Sequence, residues 1–256
     1  MNTPAVSVRE LVKYFGDLRV FDCISFDVDQ SSLTTIVGFS GCGKTTLLNV
    51  LAGIEPLTSG SAEVGSGKDR TARLGYVFQT PRLLPWLTIE QNLMFIRPDD
   101  VDEVTHRQRS LHYLEMVGLK GVEHKFPYQL SGGMQQRAGL ARALCIEPAV
   151  LLMDEPFSHL DEITAAGMRE EMLRIWQETR RTILFVTHDI QEAIELGDRL
   201  IMLDYHGHIF DDIQIPLPRP RSFTDPAFMD IYANVMRSLL RMQAERAEEL
   251  QVTPVK

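Results

Sequence analysis

The chain has 256 residues, is 44% hydrophobic and carries a formal net charge of −9, with a pI of about 5.3. This length suffices for the core of one large domain or of two lobes. The acidic balance argues against a nucleic-acid surface and against unaided binding to anionic lipid. No apolar run approaches the ~20 residues that span a membrane, and no basic segment precedes an apolar one at the start. We therefore expect neither a transmembrane helix nor a signal peptide.

The first informative stretch is a glycine-rich loop, residues 38–45, which reads GFSGCGKT and fits G-x-x-x-x-G-K-[ST]. A buried strand is predicted over 34–37 and a helix over 46–52, the context that this phosphate-binding pattern requires. Glycines let backbone N–H groups face one phosphate cluster at a positive helix end. We expect Lys44 to reach the β- and γ-phosphates and Thr45 to ligate Mg²⁺; the alternative is a structural glycine-rich turn. The predicted nucleotide contacts are Gly38, Ser40, Gly41, Cys42, Gly43, Lys44, Thr45 and Thr46.

The chain has three cysteines, Cys23, Cys42 and Cys145. An odd and sparse set in an α/β nucleoside triphosphatase indicates reduced thiols in the cytosol. Cys42 lies within the loop, next to a positive helix end that we expect to lower its pKa. Alkylation is then expected to inhibit ATP hydrolysis, with ATP protecting.

The middle of the chain predicts a loop and then a helical region. Residues 58–71 are rich in Gly, Ser and charge, which is typical of a hairpin or loop. Apolar positions at Leu111, Leu114 and Val117 (or Met116) predict a helix within an insertion of about 91–147. Ser131 followed by two glycines opens the helix that closes this insertion. The exposed N–H groups at that helix start predict a second anion site, and the alternative is an ordinary capped helix.

Two further predicted strands end in polar residues. The apolar run 149–153 leads into Asp154 and Glu155 at the end of a sheet strand, where α/β proteins bind ligands. We assign Asp154 to Mg²⁺ and Glu155 to general-base work, against the alternative of an acidic turn. The strand 182–186 leads to His188, just before a helix over 190–196. His188 either contacts a γ-phosphate or is a structural or surface residue.

The remaining segments predict core helices. The helix after Asp161 and a last helix over about 226–250 each carry one apolar face, and a Pro-rich linker is predicted over 216–220. The predicted core residues are Ala165, Met168, Met172 and Ile175 in the former helix, and Ile231, Val235, Leu239 and Met242 in the latter.

The stretch 130–137, LSGGMQQR, resembles the signature motif of the ATP-binding subunits of ATP-binding cassette (ABC) transporters. Ser131 precedes Asp154 by the interval usual in that family. The resemblance implies an α/β fold, with a P-loop NTPase (RecA-like) core of mostly parallel sheet, an antiparallel β subdomain and a helical ABC-specific subdomain. The implied ATPase domain is 1–212, with its core at 1–90 and 148–212 and its helical subdomain at about 91–147. The Pro-rich linker and C-terminal helix occupy 213–256.

Further site residues follow from the resemblance. Gln79 matches the Q-loop glutamine that contacts Mg²⁺ and reports the γ-phosphate, and His188 matches the switch histidine. Asp161 belongs to the D-loop, where His159 replaces the usual small residue. Phe15 falls where an aromatic ring stacks on adenine; Tyr14 is an alternative, and each ring could equally pack within a strand.

The resemblance also implies partners. Two subunits pair head to tail, so that each ATP lies between Lys44 of one chain and Ser131, Gly132 and Gly133 of the other. A homodimer is sufficient, and a heterodimer with a different ATPase chain is the alternative. Transmembrane permease subunits hold the pair at the cytoplasmic face of the inner membrane, an extracytoplasmic solute-binding protein acts indirectly, and nucleic acid is not expected.

Two segments narrow the resemblance. LLPWLT at 83–88 and PLPRPR at 216–221 are similar to the importer branch for nitrate, sulfonate, taurine and bicarbonate, so the expected solute is a small anion. Phe39 stands where that branch usually has proline, and little effect is expected. The rival interpretations are a soluble ABC-type ATPase of DNA repair or translation, and a cassette of a lipid or efflux transporter.

Overall fold

The computed structural model describes residues 3–65 and 73–252. In chain order the elements are β1 (Val6–Phe15), β2 (Leu18–Val28), β3 (Leu33–Gly38), α1 (Lys44–Leu51), β4 (Ser59–Val64), β5 (Leu74–Val77), α2 (Ile89–Met94), α3 (Glu103–Met116), a 3-10 turn (Pro127–Gln129), α4 (Gly132–Leu144), β6 (Val150–Asp154), α5 (Glu162–Thr179), β7 (Thr182–Thr187), α6 (Ile190–Leu196), β8 (Arg199–Leu203), β9 (Ile209–Gln214) and α7 (Pro226–Val252). Over these two ranges no helix combines the length and the apolar character needed to cross a bilayer.

A three-stranded sheet has the order β2-β1-β4. Gly16 and Asp17 alone join β1 to β2, a connection short enough only for an antiparallel pair. β4 is also antiparallel to β1, since the Thr58 amide bonds to the Val12 carbonyl while the Gly65 amide bonds to the Ala5 carbonyl. The predicted antiparallel subdomain is this sheet. The hairpin or loop predicted over 58–71 contains β4, and its residues 66–71 lie outside the described residues.

A six-stranded sheet has the order β5-β6-β7-β3-β8-β9. β5 pairs with β6 and β3 pairs with β8 in parallel, whereas β9 is antiparallel to β8. Every residue of β3, β6 and β7 is buried, which explains why these strands consist mainly of apolar residues and threonine. The predicted α/β class is thereby confirmed.

The chain divides into two compact units. The first consists of Met1–Val6, Val28–Ser32 and Val64–Leu184, and contains β5, β6 and α2 to α5. The second consists of Ser7–Asp27, Leu33–Glu63 and Phe185–Lys256, and contains α1, β8, β9, α6 and α7. The helical subdomain predicted at about 91–147 lies wholly within the first unit, although the predicted boundaries do not coincide with the unit boundaries.

The apolar faces predicted for the two long helices are core. The four predicted residues of α5 are all buried. Val235 and Met242 of α7 are buried with Phe228, and Ile231 and Leu239 pack against the same cluster. This cluster joins α7 to α6 and β8, so the C-terminal helix is part of the second unit's core.

The Pro-rich segment 216–220 is anchored to α6. The Arg221 guanidinium, next in the chain, donates hydrogen bonds to the carbonyls of Ile194, Gly197, Ile215 and Leu217. Arg219 pairs with Asp198 at 2.7 Å. Burial lowers the pKa of Arg221 to about 10. The predicted linker is therefore a fixed strap rather than a mobile spacer.

Candidate nucleotide-binding site

The glycine-rich loop joins β3 to α1 in the second unit. Gly43 is the N-cap of α1 with φ of +99°, and a Cβ there would lie 2.6 Å from Val20 Cγ1, so only glycine fits. Lys44 is 6% exposed, and its Nζ donates to the carbonyls of Gly38 at 2.8 Å and Phe39 at 3.2 Å. Thr45 is exposed in the first turn of α1. The loop thus holds an ammonium group and a hydroxyl at one helix start.

The expected lowering of the Cys42 pKa is wrong. Cys42 is 3% exposed, and burial raises the pKa of its thiol by more than nearby Lys44 lowers it. A Cβ at Gly38 would lie 2.7 Å from Cys42 Sγ, so the sulfur packs against the loop backbone. Desolvation of the thiolate therefore outweighs the positive helix end, and the thiol is neutral at physiological pH.

The paired carboxylates lie in the first unit, where β6 ends. Asp154 is 6% exposed and accepts a hydrogen bond from the Tyr76 hydroxyl on the neighbouring strand β5. Burial and the Asp154 charge raise the pKa of Tyr76, which stays a donor. Glu155 has φ of +43°, a left-handed conformation that is uncommon outside glycine and concentrates at functional sites.

A hydrogen-bonded chain ties Gln79 to this turn. Gln79 Nε2 donates to Ser158 Oγ at 3.2 Å, and Ser158 Oγ donates to the Glu155 carbonyl at 3.0 Å. The parallel register, with Val77 opposite Met153, brings the segments after β5 and β6 to the same edge of the sheet. Sequence reasoning missed the roles of Tyr76 and Ser158, which lie three residues before the predicted site residues Gln79 and Asp161.

The predicted second anion site is the start of α4. Ser131 is its N-cap and accepts a hydrogen bond from the Met134 amide at 3.3 Å. Farther along α4, Gln136 donates to the Phe78 carbonyl at 3.1 Å, and Arg142 donates to the carbonyls of Pro81 and Arg82. The same helix that carries the signature sequence therefore holds the segment around Gln79, a link that sequence reasoning also missed.

Asp161 acts locally as the N-cap of α5. Its carboxylate accepts hydrogen bonds from the Thr164 amide at 3.0 Å and the Thr164 hydroxyl at 2.8 Å. These bonds lower the pKa of Asp161. The side chain is therefore ionised and oriented toward its own helix.

The remaining predicted residues lie in the second unit. His188 is exposed between β7 and α6, where Asp189 caps the helix. Tyr14 and Phe15 end β1 and are 40% and 44% exposed. Lys13 Nζ lies 4.2 Å from the centroid of the Phe15 ring. Both rings meet the exposure that stacking on adenine requires, so the choice between them stays open.

The donor set fits Mg²⁺ with a triphosphate. The Thr45 hydroxyl and the buried Asp154 carboxylate are hard oxygen ligands, which Mg²⁺ prefers, and Mg²⁺ takes few protein ligands because it keeps water and phosphate oxygens. Lys44 and the α1 N-terminus supply the positive field for the phosphates.

The chain is similar to known proteins. The family model described as ABC transporter matches residues 21–158. The chain is 40% identical over 235 residues to "Aliphatic sulfonates import ATP-binding protein SsuB 1" of Agrobacterium fabrum (strain C58), covering 92% of this chain and 83% of that protein. It is 38% identical over 240 residues to "Aliphatic sulfonates import ATP-binding protein SsuB" of Bacillus cereus (strain ZK / E33L), covering 91% and 94%.

Among solved structures, the cassette MJ0796, described as a dimer in a post-hydrolysis state bound to ADP and Pi, matches with a TM-score of 0.71 at 28% identity. The match covers 85% of this chain and 100% of that one. Since the family model spans more than half of the chain and the relatives span nearly all of it, the chain belongs to the ABC transporter family as an ATP-binding cassette.

Proposed function

We propose that this chain is the ATP-binding and ATP-hydrolysing subunit that powers an ABC importer for a small anion. The observation that carries the proposal is the loop before α1. A buried lysine ammonium lies there at the start of the helix, and a Cβ at Gly38 or Gly43 would clash with neighbouring atoms. Such a loop suits the phosphates of a nucleoside triphosphate. The import role rests on the relatives that are named as aliphatic sulfonate import proteins.

In this proposal the loop residues bind ATP. The amides of 41–46 and Lys44 Nζ bind the phosphates, and Phe15 stacks on the adenine. Thr45, Gln79 and Asp154 would hold Mg²⁺, which neutralises phosphate charge when bound. Tyr76 supports this assignment, because its hydroxyl orients the Asp154 carboxylate.

Glu155 and His188 act in hydrolysis. Glu155 takes a proton from the attacking water, and His188 contacts the γ-phosphate. The strained backbone at Glu155 and its link through Ser158 to Gln79 support a role that needs a fixed carboxylate.

Two copies form the functional ATPase. Ser131 and Gly132 are exposed at the start of α4, so they are available to the phosphates bound by a partner's P-loop. A two-fold pair uses both loops of both chains and makes two equivalent sites. The dimeric cassette structure at 28% identity supports this assembly.

A groove in the first unit is the proposed docking site for a membrane permease. It has a volume of about 350 Å³ and is lined mainly by apolar groups, among them Leu84, Phe95 and Ile146. The Asn92 side chain holds the adjoining loop, because its oxygen accepts a hydrogen bond from the Leu84 amide and its nitrogen donates one to the Leu84 carbonyl. Trp86 of that loop is 69% exposed. A short amphipathic cytoplasmic helix fits such a groove, with Trp86 as an anchor.

The solute class and the location follow from the same proposal. A small anion of the nitrate, sulfonate, taurine or bicarbonate type agrees with the names of the relatives, and recognition of the solute belongs to the permease and to an extracytoplasmic binding protein. The permease holds the cassette at the cytoplasmic face of the inner membrane.

The test is affinity purification of the tagged chain from detergent-solubilised native membranes, followed by mass spectrometry. We expect a polytopic permease, and cross-linked cells should add the binding protein, whose solute can then be screened by thermal shift against small anions. Recovery solely from the soluble fraction, with ribosomes or DNA-repair factors, would reject the importer. If a Trp86→Ala variant recovers as much permease as wild type, the proposed docking groove is wrong, but the importer proposal still stands.

A further inference from the structure

The side chain of Phe39, the second residue of the P-loop, stacks on a distant tyrosine. The rings of Phe39 and Tyr205 are 4.6 Å apart between centroids and inclined by 9°, which is a parallel stack. Both rings pack against the apolar cluster under α7. Tyr205 lies in the turn between β8 and β9, which Asp204 fixes by accepting the amides of His206 and His208 at 2.8 Å each.

The C-terminal helix covers the same tyrosine. The Arg246 guanidinium of α7 lies 3.6 Å from the centroid of the Tyr205 ring, well within the range of a cation–π contact. One turn farther along, Glu249 lies 2.8 Å from Nε2 of His206, the residue after Tyr205. Arg246, Tyr205 and Phe39 therefore form three layers that run from α7 to the P-loop.

The backbone of Phe39 belongs to the phosphate-binding turn. Its carbonyl accepts a hydrogen bond from the Cys42 amide at 3.2 Å, which closes the turn, and another from Lys44 Nζ at 3.2 Å. A ring that holds Phe39 in place thus holds both the turn and the ammonium group that faces the phosphates. Glycine-rich loops are flexible by themselves. Packing the aromatic side chain of this loop against α7 therefore lowers the entropy that the loop loses when it binds nucleotide.

We infer that Tyr205 and Arg246 are positioning residues for ATP, which act through Phe39 to pre-order the P-loop, and that α7 contributes to nucleotide affinity in this way. The effect is on binding rather than on the chemical step, because an ordered loop holds the phosphates equally before and during hydrolysis. The inference adds a role for the C-terminal helix to the ATPase function.

The test compares nucleotide affinity and turnover of the full chain and its variants. Dissociation constants come from titration with a fluorescent ATP analogue, and KM and kcat come from phosphate release. Tyr205→Ala should weaken binding by about threefold to tenfold and raise KM similarly, with kcat within about twofold of wild type. Tyr205→Phe keeps the ring and should bind as wild type does.

Arg246 offers a second variant with a matched control on the same helix. Arg246→Ala should weaken binding by about twofold to fivefold. Arg241→Ala should leave binding unchanged, since Arg241 lies over Phe210, at 4.8 Å, and not over Tyr205. Melting temperatures of all variants are measured alongside. If Tyr205→Ala does not fold, the comparison of Arg246→Ala with Arg241→Ala tests the inference.

Three results would overturn the inference. In the first, folded Tyr205→Ala or Arg246→Ala binds nucleotide like wild type. In the second, Tyr205→Phe is as weak as Tyr205→Ala, which would assign the effect to the hydroxyl. In the third, Arg241→Ala weakens binding as much as Arg246→Ala, which would indicate a general loosening of α7.

Discussion

The charge and reactivity of single side chains in the site depend on burial as much as on the kind of amino acid. Lys44 is buried, and its ammonium donates hydrogen bonds to two backbone carbonyls. Cys42, two residues earlier, is also buried, and desolvation raises the pKa of its thiol although the Lys44 charge and backbone amides lower it. The same loop thus holds the Lys44 ammonium by hydrogen bonds and disfavours the thiolate form of Cys42.

Replacing Lys44 tests the phosphate role directly. Lys44→Ala should abolish ATP hydrolysis and weaken ATP binding by more than about tenfold, because charge-assisted hydrogen bonds to phosphate are lost. Phosphate release and titration with a fluorescent analogue measure both effects. Lys120→Ala is the control, since Lys120 is exposed and pairs with Glu115 on the surface. Phosphate release near the wild-type rate in Lys44→Ala would contradict the P-loop assignment.

Thiol labelling tests the corrected view of Cys42. With iodoacetamide at pH 7.5, exposed Cys23 should react first. Cys42 should react slowly in the folded chain, because its sulfur is buried and its raised pKa keeps the thiolate fraction small. The pKa of Cys42 is raised, so its labelling rate should still be rising above pH 9. Burial raises the pKa of Cys145 to about 12, and it should react last. Mass spectrometry of each peptide gives the rates; Cys42 labelled as fast as Cys23 at pH 7 would contradict the burial.

At the scale of elements, helices hold the segments that carry the chemistry. α4 fixes the stretch around Gln79 through Gln136 and Arg142, and burial lowers the pKa of Arg142. The strap after β9 is held through Arg221 to α6, although its composition is that of a linker. In both cases long polar side chains donate hydrogen bonds to backbone carbonyls near the ends of helices and strands.

Removing Arg221 should therefore destabilise the fold. Arg221→Ala leaves several carbonyls without their donor, so we expect the unfolding free energy to fall by about 2–4 kcal/mol. Urea denaturation followed by circular dichroism measures the change. Arg237→Ala on exposed α7 surface is the control and should change stability by less than about 0.5 kcal/mol. An Arg221→Ala chain as stable as wild type would mean that the strap is not anchored by this side chain.

At the scale of the whole molecule, two compact units divide the predicted site residues between them. The first carries Gln79, Ser131, Asp154 and Glu155, and the second carries the P-loop, Phe15 and His188. Our proposal is that ATP joins two chains, with Ser131 of one chain at the phosphates bound by the P-loop of the other. This makes dimerisation a consequence of nucleotide binding.

A hydrolysis-deficient variant should trap that dimer. Glu155→Gln removes the proposed base but keeps the shape of the side chain, so turnover should fall by at least about 100-fold while ATP still binds. With ATP and Mg²⁺, light scattering during size exclusion should report a dimer. Adding Ser131→Arg should restore the monomer, because the signature loop no longer fits a partner's phosphates, whereas adding Glu170→Gln should not. A Glu155→Gln chain that stays monomeric would contradict the proposed assembly.

The sequence by itself determined what depends on local pattern. Short runs of apolar residues and threonine predicted β3, β6 and β7, the 3.6-residue period predicted the buried face of α5, and the glycine spacing predicted the loop at Lys44. Each of these signals lies within about 18 consecutive residues. Only the tertiary structure decided what depends on residues far apart. The hydrogen bond from Tyr76 to Asp154, the raised pKa of Cys42 and the stack of Phe39 on Tyr205 all arise from side chains that folding brings together. Burial and electrostatic environment are properties of three-dimensional neighbours, and a one-dimensional pattern does not contain them.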